Sequence, residues 1–395
     1  MTRSSQNDNV DRQTDRQTDR QTDRQTDRQD YIDALKGWAI LGTIMVHSGL
    51  WGEGRVAQFA GSGARMCQMF FVVSAFLMYS SYDRVVIIKN GNVELRDIFY
   101  WILKRFIRLI PLFYLSIIVH MLTGGYSRYW LGSQGHVTFS NIISHLLFIH
   151  GLFPYYMDSV ISVEWYVGDI AILIVMMPLL YKAIHSTSAA ISWIVGTNIV
   201  LHFGLPYLQE LRILPADDLH IWNTYISDFG FWNQLPVMLI GIALYRLMQA
   251  IDLESMVNHK KVLSFVIIFL SIVLQYGLIY RGTNVYMLSG FTLWGIAYAL
   301  WFISQKIYPI WILNNPIVKL LGKYSYAIYL FHFGIFIRYY DKFGFTLSDI
   351  RLNAILRMMI VTAESLITGI VLTQYIEKPC VAYISNCIKM VKKCK

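Results

Sequence analysis

Charge is scarce in this chain. Only 15% of its 395 residues are Asp, Glu, Lys or Arg and 55% are hydrophobic, whereas ordinary soluble domains carry about 25% charged residues. The apolar runs are spread along nearly the whole length, which indicates one all-α, polytopic integral membrane domain rather than a soluble domain with an anchor. Cysteine is also sparse. Cys67, Cys380, Cys387 and Cys394 form no CxxC metal pair and no disulfide framework. The last three recur every seven residues at a basic C-terminal end; they read as reduced thiols on a cytoplasmic tail, with lipidation or a redox role as the alternative. No Gly-rich phosphate loop, HExxH helix, GxSxG elbow or EF-hand loop is present. No His/Asp/Glu spacing argues for a metal. The first thirty residues are polar, so no cleavable signal peptide is expected. The net charge of +9 fits basic cytoplasmic loops and gives no sign of nucleic-acid binding.

Residues 11–29 read DRQTDRQTDRQTDRQTDRQ. This stretch has no apolar residue and balanced charge, so residues 1–30 are expected to be a disordered tail. A tetranucleotide tract, ACAG repeated, encodes Thr-Asp-Arg-Gln over and over, and gain or loss of one unit shifts the frame. Expression is therefore expected to switch by slippage, unless varied synonymous codons encode a selected linker.

About ten segments approach the length of roughly 20 apolar residues that a span needs. They lie near 34–51, 66–82, 108–124, 163–183, 188–205, 229–248, 262–280, 286–304, 322–340 and 352–375. The shorter 141–153 reads as re-entrant or interfacial. Basic residues gather after the second span (Arg84, Lys89, Arg96, Lys104, Arg105), near 246–261 and 305–323, and in the 379–395 tail, while loop 206–228 is acidic. The positive-inside rule then puts both termini in the cytoplasm. The membrane domain is taken as 31–378.

Lys36 and His47 have ten residues between them. Eleven helical steps of about 100° bring both side chains to one face, roughly 16 Å apart along the axis. Ionisable groups inside a bilayer are functional candidates, and an imidazole exchanges protons near neutral pH. Arg105 and Arg108, three apart, form a double cation suited to a phosphate-bearing ligand, or a topogenic cluster. Glu164, two after Ser162, either orients a histidine or caps a helix. Ser74 and Ala75 lie in an aromatic span where close packing alone accounts for small residues. His332 reads as a hydrogen-bonded packing residue or a site residue; His120, His145, His150 and His202 read as structural.

Taken in order, these stretches resemble the acyltransferase-3 family of integral-membrane O-acyltransferases over nearly the whole chain after residue 30. The carriers are Lys36 to His47, FFVVSAF at 70–76 with Ser74, Arg105–Arg108 before Pro111, Ser162–Glu164 before Pro178, Leu321 to His332 with Tyr326, and Glu377-Lys378-Pro379. The chain departs from the family pattern in three places: Lys36 stands where Arg is commoner, Ala75 replaces a usual Gly, and Trp165 stands where a second acid is often found. A fused extracytoplasmic domain is not expected.

The resemblance implies an O-acetyltransferase of the bacterial inner membrane. The acetyl donor would be acetyl-CoA, a substrate rather than a bound cofactor. The acceptor would be a hydroxyl of a lipid-linked glycan, such as lipopolysaccharide O-antigen or an oligosaccharide precursor. His47 and Glu164 would be catalytic, with His47 oriented by Glu164 and acting as general base or as nucleophile. Lys36, Arg105 and Arg108 would hold the CoA phosphates. Ser74, Ser162, Tyr326, His332 and Glu377 are further motif positions. The competing class is a transporter of an acylated or lipid-linked glycan, whose intramembrane His and Lys would couple transport. Such proteins often carry internal repeats, and no clear half-to-half similarity is visible.

Overall fold

A computed structural model describes residues 30–50, 53–251, 258–282, 287–343 and 347–393. The DRQT repeat and Cys394 lie outside these. The described chain is all-helical, with no β-strand.

The main helices are α1 (Asp30–Val46), α2 (Met66–Ile88), α3 (Leu95–Thr123), α4 (Trp165–Ala183), α5 (Thr187–Glu210) and α6 (Phe231–Ala250). They continue with α7 (Lys260–Tyr280), α8 (Gly290–Ile307), α9 (Pro316–Lys323), α10 (Ser325–Phe331), α11 (Ile350–Leu372) and α12 (Lys378–Lys393). Each of the ten expected spans overlaps one of these helices or, for 322–340, α9 and α10 with the π-segment His332–Ile337 and the helix Arg338–Phe343 that continue them. Six helical stretches are long and apolar enough to cross a membrane, and Pro316–Lys323 together with Ser325–Lys342, bent by 67°, makes a seventh candidate. The others fall short for a physical reason. α1 has 17 residues, a rise of about 25 Å against a hydrocarbon core of about 30 Å. α6 carries Asn233, Gln234 and Arg246, and α8 carries Ser304, Gln305 and Lys306. α6 lies against α2, α5 and α8, so its surface meets protein more than lipid and need not be apolar all round. Segment 141–153 is not a span: Phe139–Leu146 is a short helix followed by a single 3-10 turn at His150–Leu152.

Glycines set two close helix crossings. A Cβ at Gly37 would stand 1.9 Å from the Val318 carbonyl oxygen, and one at Gly322 would stand 1.7 Å from that of Asp33. The backbones of α1 and α9 therefore touch, as small residues permit. On α2 the expected glycine is Ala75, and the close approach comes from the opposite side: a Cβ at Gly241 on α6 would lie 2.3 Å from the Val72 carbonyl oxygen and 3.0 Å from the Ala75 Cβ.

Candidate active site

α1 ends one residue before His47. The His47 N–H reaches the Ile44 carbonyl at 3.1 Å, Ser48 N–H reaches that of Met45 at 3.0 Å, and Gly49 has φ 89°. A glycine past the helix end takes this left-handed conformation without a Cβ penalty. His47 thus sits in the terminal turn of α1, half-buried, beyond the helix on which it was expected. Its ring lies 4.3 Å from that of Phe333 and 5.5 Å from that of His332.

His332 is fully buried and opens a π-helical segment, His332–Ile337. Its Nδ1 is 2.8 Å from the Tyr329 carbonyl oxygen. A carbonyl only accepts, so Nδ1 carries the hydrogen and Nε2 presents a lone pair. That Nε2 is buried with no hydrogen-bond partner. Buried polar atoms are rarely left unmet, and π-segments often occur at functional sites. His120 repeats the pattern: it is fully buried, its Nδ1 donates to the Ser116 carbonyl at 2.7 Å, and its Nε2 is unpartnered. Gly334 makes room for it, since a Cβ there would lie 2.3 Å from the His120 Nε2.

Glu164 belongs to a different network. Its Oε1 accepts from His145 Nε2 at 2.9 Å, Val160 N–H at 2.7 Å and Ile161 N–H at 2.9 Å, and its Oε2 accepts from Val163 N–H at 3.0 Å. The expectation that Glu164 orients His47 is therefore corrected: its imidazole partner is His145. The cause is the loop before α4, which curls around the carboxylate and spends its oxygens on backbone N–H groups. His145 Nδ1 also faces a carbonyl, that of Asn141, at 2.6 Å, so both ring nitrogens have an acceptor within hydrogen-bond distance. His150 stacks on it with ring centroids 4.4 Å apart and an 8° interplanar angle, and donates from Nε2 to the Glu164 carbonyl at 3.2 Å. Burial pushes the His150 imidazole down to about 3, with the neighbouring His145 adding to the effect. Burial opposes the Glu164 charge, but the hydrogen bonds from His145 and the Ile161 backbone outweigh it and hold the carboxyl below its usual range. Burial and the Glu164 charge push Asp158 the other way, well above the carboxylate range, while its Oδ1 accepts from Trp165 N–H at 2.7 Å. A second buried acid thus lies beside Glu164, from Asp158 rather than from position 165.

The other expected positions support neighbouring parts of the fold. Ser162 (φ 75°) donates from Oγ to the Gly125 carbonyl at 3.1 Å. Ser74 and Tyr166 share a hydroxyl–hydroxyl bond of 2.7 Å between α2 and α4. Tyr326 donates to the Leu109 carbonyl at 3.0 Å, joining α10 to α3. Tyr329 donates to the Val163 carbonyl, so the Glu164 loop and the His332 helix are tied directly. Arg105 is half-buried, with its guanidinium 5.2 Å over the Trp101 ring. Arg108 is exposed and lies within electrostatic reach of Glu377, at the end of a second π-segment, Thr373–Glu377. Lys36 pairs with Asp33 at 2.6 Å, and among the described residues no contact joins it to either arginine. One residue read as topogenic is better placed than expected. Arg246 donates from Nε to the Tyr79 hydroxyl at 2.8 Å and from Nη2 to the Ile184 carbonyl at 3.3 Å, tying α6 to α2 and to the C-terminal end of α4. Sequence reasoning missed Asp158, Arg357 (below) and the pairing of His145 with His150; two histidines five apart in an apolar segment were the available signal for the last. No group of three His, Cys, Asp or Glu side chains among the described residues is placed to hold a metal ion.

Long apolar helices around buried imidazoles define a multi-pass membrane protein. The acyltransferase-3 family profile, described as an acyltransferase domain, matches residues 29–374, and the chain belongs to that family. Among its curated relatives are proteins named "Putative O-acetyltransferase" from Staphylococcus aureus strains COL, MSSA476 and MRSA252. Each is 24% identical over 336 residues, covering 77% of this chain and 50% of the relative. The chain spans about half the length of the curated relatives it matches. No solved structure matches.

Proposed function

We propose that the protein is an O-acetyltransferase of the bacterial inner membrane. It moves an acetyl group from acetyl-CoA, entering from the cytoplasm, to a hydroxyl of a lipid-linked surface glycan such as an O-antigen or oligosaccharide precursor. The observation that carries this is the half-buried imidazole of His47, its ring centroid 5.5 Å from that of His332, whose buried Nε2 has no partner. One imidazole is only half-buried and the other is held in a fixed tautomer beside it.

His47 removes the proton of the attacking hydroxyl, or accepts the acetyl group itself and passes it on. The first route needs donor and acceptor bound together; the second gives ping-pong kinetics. Arg105 and Arg108 bind the CoA phosphates, with Lys36 nearer the cytoplasmic end of α1. Glu164 is a positioning residue: it shapes loop 158–164, which is anchored to α10 through Tyr329. The DRQT tract switches expression by slippage, as suits an enzyme that alters a surface epitope; scattered synonymous codons in the gene would rule this out.

The test is mass spectrometry of surface glycan from cells with the gene in frame, deleted, or carrying His47→Ala. An alkali-labile gain of about 42 Da, one acetyl group, is expected only with the intact gene. Equal acetylation in all three, with different amounts of glycan at the surface, would favour the transporter.

A further inference from the structure

Arg357, on α11, reaches the turn that carries His47. A Cβ at Gly49 would stand 2.7 Å from its Nη1, so the guanidinium lies against backbone two residues from His47. His47 is within reach of its charge. Asp341 grips Nη2 at 2.8 Å, and the guanidinium carbon is 5.7 Å over the Tyr340 ring. The side chain is only 14% exposed. Its Nε–H is buried with no acceptor.

Each feature has a plain structural use. Gly49 ends α1, and the Arg357–Asp341 pair joins α11 to the segment Arg338–Phe343. Neither use accounts for the unmet Nε–H. Arg357 is held by one carboxylate and one ring, its Nη1 against the turn that carries His47, while the buried Nε–H of the same guanidinium goes unused. A preorganised donor in a water-poor site is what stabilises charge that exists only in a transition state. Arginine also keeps its charge when buried, so such a donor stays on.

We propose that Arg357 is a catalytic residue that stabilises the negative charge developing on the thioester carbonyl oxygen. The proposal rests on acetyl transfer at His47. The acceptor hydroxyl oxygen forms a bond to the acetyl carbonyl carbon, and its proton passes to His47. The carbonyl π pair moves onto oxygen, which accepts a hydrogen bond from Arg357. On collapse the C=O bond re-forms and the C–S bond breaks. Sulfur leaves with the electron pair and takes the proton from His47. If acetyl passes through His47, imidazole nitrogen displaces sulfur and the acceptor oxygen then displaces the imidazole, and each of the two tetrahedral adducts bears its negative charge on the same acetyl oxygen.

The test uses the full chain in membranes, with acetyl-CoA and the glycan acceptor each varied. Arg357→Ala should lower kcat about 10²–10³-fold with both KM values near wild type. Arg357→Lys, which keeps charge without the fork, should lose less. Millimolar guanidinium should partly restore Arg357→Ala and should not restore His47→Ala. Unchanged kcat would overturn the proposal. So would a loss confined to acceptor KM, which would make Arg357 a contact for an anion on the acceptor. If Arg357→Ala fails to fold, Arg357→Lys decides: wild-type kcat in a well-folded Lys variant removes the need for the fork. Should wild type transfer no acetyl, or His47→Ala retain full activity, the enzymatic function itself fails, whatever Arg357 does.

Discussion

Two regions of this molecule hold buried histidines, and they differ in what those histidines touch. Around Glu164 most side-chain ends are occupied: the carboxylate accepts four hydrogen bonds and both His145 ring nitrogens have partners, while the stacked His150 leaves its Nδ1 unpartnered. Around His47 the ends are free: His332 Nε2, His120 Nε2 and Arg357 Nε have no partner. A satisfied buried network rigidifies a fold. Unmet buried groups cost stability and persist where another function keeps them. Under the proposed function the first region serves structure and the second chemistry, although the family pattern draws a candidate residue from each.

Substitutions in the two regions should separate these roles. Glu164→Ala leaves His145 Nε2 and three backbone N–H groups buried without their acceptor, and each such unmet group costs about 1–3 kcal/mol. Thermal unfolding of purified protein should show that loss, with yield falling more than the turnover of whatever remains folded. His332→Gln should do the reverse. Turnover should drop about 10²-fold, as when a proton-transfer partner is lost, with the unfolding temperature nearly unchanged. Equal effects of both variants on stability would dissolve the contrast.

The Glu164 region also carries a pH signature. Burial holds His150 neutral, with its pKa down at about 3 against an ordinary value near 6.5. A depressed pKa gives stability that is present above the unfolded value and is lost as pH falls. From about pH 6.5 down to about 3, His150 should cost about 1.4 kcal/mol per pH unit. Thermal melts between pH 7 and 5 should show the slope in wild type and a shallower one in His150→Phe. An identical slope in both would remove His150 from the account.

Arg108→Ala should raise the KM for acetyl-CoA about tenfold, about 1.4 kcal/mol, and leave the acceptor KM alone. A matched donor curve would remove Arg108 from the phosphate site. Ser74→Ala should cost least, about 1 kcal/mol for the lost bond to Tyr166, visible in the melt and not in turnover.

Much of the fold was legible from residues alone. Hydrophobic runs placed the ten segments on helices, because that signal is local, while six helical stretches, or seven with the bent pair, are long and apolar enough to cross a membrane. The helix end at Val46 was less legible, since it depends on Gly49 adopting a positive φ beside Arg357. The pairing of Glu164 with His145 was not legible at all. It joins residues 19 apart through a loop that folds back on itself, and no periodicity encodes that. The buried side of Arg246 was hidden for the same reason: its partners Tyr79 and Ile184 come from other helices.

The central claim is that the open histidine, His47, does the chemistry while the satisfied Glu164 network holds it in place. Acetyl transfer to surface glycan by His47→Ala and Glu164→Gln, normalised to folded protein in the membrane, tests it most directly. The account predicts no alkali-labile 42 Da gain (about one acetyl) for His47→Ala at normal protein level, and transfer per folded molecule close to wild type for Glu164→Gln. Transfer retained by His47→Ala, or lost by a well-folded Glu164→Gln, would contradict it.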